Sequence, residues 1–173
     1  YNGGIALSTL AIDKIEIDKE NKQVTVGAGV VGGFLEKILN FEGFTLRHSP
    51  QSLYCSTVGG WVATAASGQF STGYGNIEDL IISLKVVLPT GEILEEMKTP
   101  RRAGPDLKRL FVGSEGSLGV ITEVTLKIFD LPNKTTTISI EYETLGEAIK
   151  DARNIIKLKP ALIRIFDEDE SLR

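Results

Sequence analysis

The glycines of this chain are bunched, and the bunches fall at joints between elements. Gly59 and Gly60 follow Ser56-Thr57-Val58, and three more punctuate Gly113-Ser114-Glu115-Gly116-Ser117-Leu118-Gly119. Glycine is used where a backbone turns left-handed or approaches another group closely. The chain must therefore fold so that two tight joints meet something near. After the first joint, Val58, Trp61, Val62, Ala65 and Ala66 recur at helical spacing. Ser56 or Thr57 serves as its N-cap and Gly68 as its stop. A helix of such small residues lets another backbone or a flat ligand come close.

The remaining periodicities predict sheet and helix in alternation. Ile15 and Ile17, then Val24 and Val26, alternate with polar neighbours on either side of a polar turn, which reads as a β-hairpin. Val31, Phe34, Leu35, Ile38 and Leu39 predict an amphipathic helix stopped at Gly43. Residues 69–78 read as a glycine-rich loop. Leu80 to Leu88 reads as a central strand covered on both faces, and Ile93-Leu94 as its return. Pro105 opens a short helix carrying Leu107, Leu110 and Phe111. In the strand that follows, Val120, Val124, Leu126 and Ile128 face one way. Beyond Pro132 the pattern is strand, helix, strand: Ile138, Ile140 and Tyr142 alternate, Thr144 and Glu147 form a capping box, and Ile163 and Ile165 flank Arg164. The expected class is α+β, with a mixed, mainly antiparallel sheet flanked by helices. Residues 1–131 form one unit and residues 132–173 begin a second.

Several functions are excluded or unsupported. Nineteen Lys and Arg against 23 Asp and Glu give a net charge of −4, against a nucleic-acid binder working by bulk charge. One Cys and one His exclude a structural disulfide and speak against a structural zinc site. No apolar run approaches the ~18 residues of a membrane span, and no signal-peptide pattern is present. There is no P-loop and no G-x-S-x-G elbow. Asn133-Lys134-Thr135 matches a glycosylation sequon by chance. The chain starts at Tyr1 and stops after an acidic run, so it reads as a piece of a larger protein.

The Gly113–Gly119 stretch is not a dinucleotide fingerprint, which must follow a strand and open a helix. Here a helix precedes and a strand follows. Two readings stay open: a turn that needs glycine for its geometry, or a loop whose N–H and C=O groups bond a cofactor. The Ser56–Gly60 segment is likewise either an ordinary N-cap or a helix N-terminus suited to phosphate or a ring edge.

In combination these segments resemble a known family. Ser56-Thr57-Val58-Gly59-Gly60-Trp61, Ala66-Ser67-Gly68, Tyr74-Gly75-Asn76-Ile77-Glu78-Asp79-Leu80, Gly104-Pro105-Asp106-Leu107 and Phe111 to Glu123 follow in order. The chain is similar to the FAD-binding domain of the vanillyl-alcohol oxidase type. The Trp61, Tyr74–Asp79 and Gly104-Pro105-Asp106 motifs look closest to the alkylglycerone-phosphate synthase branch. The Phe111–Gly116 run is shared with the D-lactate dehydrogenase and glycolate oxidase branch.

The resemblance implies an FAD site. Gln51, Ser52, Leu53, Tyr54, Cys55, Ser56 and Thr57 would line flavin and pyrophosphate. Thr64, Ala65, Ala66 and Ser67 would touch the cofactor from the small-residue helix. Glu115, Gly116, Ser117, Leu118, Gly119, Val120 and Ile121 would hold the adenosine end, largely by backbone. The family's N-terminal pyrophosphate-loop subdomain and most of its substrate cap are expected to lie outside this chain, so no catalytic residue is carried over and no metal is implied. FAD is expected to be non-covalent; related enzymes of the berberine-bridge type use a cysteine at what looks like the spacing of Cys55, but simple packing is the reading preferred for this thiol. His48 is read as a satisfied loop residue, with substrate binding as the alternative. The basic run Lys98, Arg101, Arg102, Lys108 and Arg109 reads as a solvated loop, and Arg164 as a strand residue that would face substrate if the cap folds over the flavin.

The implied function is the FAD-binding part of a flavin-dependent oxidoreductase of the 2-hydroxy-acid type, cytoplasmic, acting on a small molecule. Non-redox flavin chemistry like that of alkylglycerone-phosphate synthase is one alternative. A cofactor-free binding module, or a fragment inactive alone, is the other.

Overall fold

The computed structural model describes residues 3–95 and 105–167. Lys98, Arg101, Arg102 and Gly104 lie outside the described residues.

The alternating segments become strands because each finds a neighbour. The elements run β1 (Ile15–Asp18), β2 (Gln23–Gly27), α1 (Gly32–Phe41), β3 (Phe44–Thr45), α2 (Val58–Ala63), α3 (Ser71–Tyr74), α4 (Ile77–Leu80), β4 (Ile81–Val87) and β5 (Ile93–Leu94). They continue with α5 (Lys108–Phe111), β6 (Val120–Lys127), β7 (Phe129–Asp130) and α6 (Leu145–Ile155). The order β1-β2-β6-β4-β5 makes one sheet, antiparallel at every pairing, and β3 pairs with β7 in a small ribbon. One sheet face is apolar: Val24, Val26, Leu84, Val124 and Leu126 are buried. Leu35 and Leu39 of α1, Val58, Trp61 and Val62 of α2, and Ile77 and Leu80 of α4 complete that core. Each such side chain contributes roughly 1.5–3 kcal/mol of burial.

Two bulges set which residues reach the core. Ile81 pairs with Leu126 and Ser83 with Thr125, so Ile82 is an extra residue in β4. Its carbonyl accepts from Lys108 Nζ at 3.1 Å. Lys85 pairs with Glu123 and Val86 with Ile121, so Thr122 is extra in β6. Thr122 donates its hydroxyl to Lys85 O at 3.2 Å, and its carbonyl accepts from Ala28 N–H at 2.9 Å. An extra residue reverses the alternation beyond it. Ile121 therefore enters the core, and Val120, expected there, is half-buried.

Other expectations are corrected. The second face of β4 is covered only in part: Ser83 is buried there, while Lys85 and Val87 are half-buried. Phe34 lies exposed on α1, while Leu35 and Leu39 carry its packing. The loop expected at 69–78 holds the single helical turns α3 and α4. α2 ends at Ala63, not near Gly68, because Ala65 turns left-handed at φ 50°. α5 begins at Lys108, three residues after Pro105.

Beyond Pro132 the described residues form α6 and a 3-10 turn at Ile156–Leu158 that continues it. Thr144 caps α6, accepting from Glu147 N–H at 3.3 Å. No strand forms at 138–142 or 163–165: Ile138 is 78% and Ile140 52% exposed. A strand needs a partner to satisfy its N–H and C=O groups, and neither segment pairs with a strand among the described residues. The apolar stripe of α6 buries none of its residues.

Candidate functional site

The N-terminus of α2 does not have donors to spare. Val58 N–H donates to Val30 O and Gly59 N–H to Ala28 O, both at 2.9 Å. Gly60 N–H goes to Thr57 Oγ1 at 3.2 Å, and Trp61 N–H to Thr57 O at 3.0 Å. Every donor of the first turn, normally orphaned, is taken. The anion-cup reading of Ser56–Gly60 is therefore corrected: this joint is an N-cap and a packing contact. Gly59 is needed for closeness, since a Cβ there would stand 2.6 Å from Ala28 Cβ.

The 51–57 loop is stitched to α1. Gly33 N–H donates to Leu53 O at 2.7 Å and Gly32 N–H to Ser56 O at 3.0 Å. Ser56 Oγ accepts from Trp61 Nε1 at 2.6 Å and donates to Ser52 O at 2.8 Å. Gln51, Ser52, Tyr54 and Cys55 are exposed, while Leu53, Ser56 and Thr57 are half-buried. Cys55 is thus not the packed residue expected; its thiol donates to Ser52 O at 3.4 Å. A cleft of about 320 Å³ opens between α1 and this loop, lined by Glu36, Lys37, Asn40, Leu53 and Tyr54 among others.

The second glycine joint is tied to the end of α2. Gly113 N–H donates to Val62 O and Glu115 N–H to Ala63 O, both at 2.9 Å. These bonds bring Thr64–Ser67 beside the 113–119 loop. Two successive left-handed residues, Glu115 at φ 49° and Gly116 at φ 79°, turn that loop outward. Ser117 closes it, donating from N–H and Oγ to Ser114 O at 3.0 and 2.6 Å. Thr64, Ala65, Ser67 and residues 115–118 are exposed, and Ala66 is half-buried. Among the described residues no hydrogen bond uses the N–H of Ser67, Gly116 or Leu118. Ser114 Oγ is buried and without a partner there. Such a surface offers backbone hydrogen bonds to a neutral polar edge. Its one charge is Glu115, so it is not built for phosphate. Gly119 and Ile121 are buried, Gly119 because a Cβ would stand 2.7 Å from Val87 O.

His48 departs from its expected role as a satisfied loop residue. It is 2% exposed, and neither ring nitrogen has a partner among the described residues. Burial pushes its pKa down to about 4, so the ring is neutral at pH 7. It adjoins Gly68, where a Cβ would come 3.1 Å from Nδ1, and so lies next to the Thr64–Ser67 turn. Arg164 is not on a strand; it is exposed, with its guanidinium carbon 4.4 Å from the Phe166 ring centroid. Lys108 and Arg109 of the basic run approach Asp106 at 3.9 and 3.7 Å. Arg47, given no role by sequence reasoning, lies beside His48 with its Nε buried and unpartnered. Only the adjacent histidine could have drawn attention to it. No group of three or more His, Cys, Asp or Glu fit for a metal occurs among the described residues, and no helix there is long and apolar enough to cross a membrane.

Residues 1–96 match the family described as FAD binding domain. Alkyldihydroxyacetonephosphate synthase of Caenorhabditis elegans is 41% identical over 170 residues, covering 96% of this chain and 28% of that protein. Glycolate oxidase subunit GlcD of Bacillus subtilis is 34% identical over 171 residues, covering 96% and 36%. A solved structure of alkyldihydroxyacetonephosphate synthase superposes with a TM-score of 0.80 at 34% identity, covering 95% of this chain and 31% of that one. The chain thus spans about a third of the length of these proteins.

Proposed function

The chain belongs to the FAD binding domain family, and on that premise we propose that residues 51–57, 64–67 and 115–121 hold FAD without a covalent bond. The observation that carries this reading is the pair of backbone bonds from Gly113 and Glu115 to the end of α2. They join the turn after α2 to the 113–119 loop, and each carries exposed, unengaged N–H groups, Ser67 in the first and Gly116 and Leu118 in the second. These donors fit the polar edges of a nucleotide, and a Cβ at Gly116 would meet nothing within 4 Å, so the space beside it is open. When bound, the flavin supplies the redox chemistry, and the protein supplies orientation and electrostatics. The chain's own part is to bind and orient. Exposed N–H groups position the nucleotide, the small residues Ala65 and Ala66 permit close approach, and neutral His48 stands next to that surface as a substrate-side residue.

The complete protein, on this reading, is a cytoplasmic FAD-dependent oxidoreductase acting on a small 2-hydroxy acid. Residues 1–131 belong to its FAD-binding domain. Residues 132–173, whose described part adds no residue to the core, belong to a unit that covers the substrate and brings Arg164 with it. A second reading, non-redox flavin chemistry, is supported by the superposition on the solved structure of alkyldihydroxyacetonephosphate synthase, TM-score 0.80. The test is to purify the complete protein, record its visible absorption and add D-2-hydroxy acids without oxygen. Yellow protein bleached by a hydroxy acid supports the first reading, and yellow protein that none of them bleaches supports the second. Colourless protein that binds no FAD in calorimetry overturns both and leaves a cofactor-free binding module.

A further inference from the structure

We propose that Arg47 receives the acid group of the substrate, a carboxylate or a phosphate, beside the cofactor surface; this rests on the flavin reading above. Arg47 stands in the left-handed region at φ 54°, uncommon for a long side chain. The conformation is held by its N–H, which donates to Thr45 Oγ1 at 3.2 Å. Its guanidinium carbon lies 5.2 Å from the Phe70 ring centroid and 5.5 Å from that of Tyr74. Tyr74 is braced in turn by Phe129, edge-on at 4.8 Å.

No carboxylate is described in an ion pair with this charge. Lys22, Lys85 and Lys108 each approach a carboxylate. Arg47 forms no ion pair among the described residues, and its buried Nε has no hydrogen-bond partner there. Contacts with ring faces attract a cation but use none of its N–H groups. A buried N–H without an acceptor is costly, and an anion that meets the guanidinium would supply one for Nε. The planar fork of a guanidinium suits the paired oxygens of carboxylate and phosphate alike.

Position supplies the rest. The next residue, His48, adjoins Gly68, and Gly68 follows Ser67 of the proposed cofactor surface. Phe70, which flanks the guanidinium, follows Gly68 by two residues, so an anion on Arg47 would be held on the segment that continues from that surface. The 2-hydroxy acid of the first reading carries a carboxylate, and the relative behind the second reading, alkyldihydroxyacetonephosphate synthase, is named for a phosphate-bearing compound.

The test titrates the complete protein with oxalate and, separately, with inorganic phosphate, by calorimetry and by flavin absorption. One of the two anions is expected to bind. Oxalate identifies the carboxylate class and phosphate the ester class. Arg47→Met should weaken that binding at least tenfold while flavin content and thermal unfolding stay close to wild type. Binding of neither anion, or unchanged binding by Arg47→Met, overturns the proposal. Should Arg47→Met not fold, Arg47→Lys decides: a loss of threefold or more supports the fork, and unchanged affinity refutes it. Colourless protein with Arg47-dependent anion binding means that the flavin reading fails and this one stands. Yellow protein whose anion binding ignores Arg47 means the reverse.

Discussion

His48 meets Trp61 edge-on, ring centroids 4.9 Å apart and planes inclined at 67°, with neither imidazole nitrogen hydrogen-bonded among the described residues. This contact joins the candidate site to the core, because Trp61 also donates to Ser56 of the 51–57 loop. It makes stability depend on pH. Burial sets the folded pKa at about 4, against 6.5 for the free side chain. Between those values the unfolded chain binds a proton that the folded chain does not, so stability rises with pH and is lost as pH falls. It is fully present above about 6.5 and the loss is complete below about 4, with a total on the order of 3 kcal/mol. Urea unfolding at pH 7 and pH 4.5 checks this, with His48→Phe as the variant that keeps an aromatic ring without the titration. The wild type should lose more stability than the variant, and parallel losses would refute the assignment to His48.

Gly32 is fixed by the same tryptophan. A Cβ at Gly32 would stand 2.0 Å from one Trp61 ring carbon and 2.3 Å from another. Trp61 is 1% exposed and has little room to retreat. Gly32→Ala is predicted to destabilise by roughly 1–3 kcal/mol or more through overpacking. Gly116→Ala offers the contrast: its Cβ would meet nothing within 4 Å, and its cost, from φ 79°, is about 1 kcal/mol. Denaturant midpoints of both variants test the ranking, and an equal or reversed order counts against the Trp61 clash.

Part of this was legible in the sequence because it is local. Alternation at Ile15–Ile17 and Val24–Val26, and the cap at Thr57, depend on near neighbours and appear as expected. What escaped depends on partners far along the chain. The shift of Ile121 into the core comes from a bulge that exists only opposite β4. The donors of Val58 and Gly59 look free until Val30 and Ala28 are placed beside them. Ile138 and Ile140 alternate as a strand does, yet alternation without a neighbouring strand leaves extended, exposed chain. The motif order marked which loops belong together. Only the bonds from Gly113 and Glu115 show how they meet.

If FAD lies against the 115–118 loop, a side chain at Gly116 fills the space meant for it. Gly116→Val in the complete protein should purify with most of its flavin lost and its circular dichroism unchanged. Valine at φ 79° is strained, so loss of flavin alone could reflect a distorted loop. Ser67→Val supplies the control, since Ser67 has no positive φ. It is exposed four residues past the end of α2, and on the same placement it should also lower flavin content. Full flavin loading of both variants would sink the placement.

The last prediction concerns attachment. Cys55 is exposed in the 51–57 loop, open to a flavin bound there. Exposure alone does not make a nucleophile; a thiol reacts as the thiolate, which cationic neighbours or a base must favour. The hydrogen bond described for Cys55 goes to the carbonyl of Ser52, an acceptor that takes S–H as donor and cannot remove its proton. Non-covalent FAD is therefore expected. Acid precipitation of the flavin-loaded complete protein should leave colourless pellet and fluorescent supernatant, and Cys55→Ala should carry the same flavin content as wild type. A yellow pellet that Cys55→Ala turns colourless would establish a thioether to the flavin and overturn the prediction.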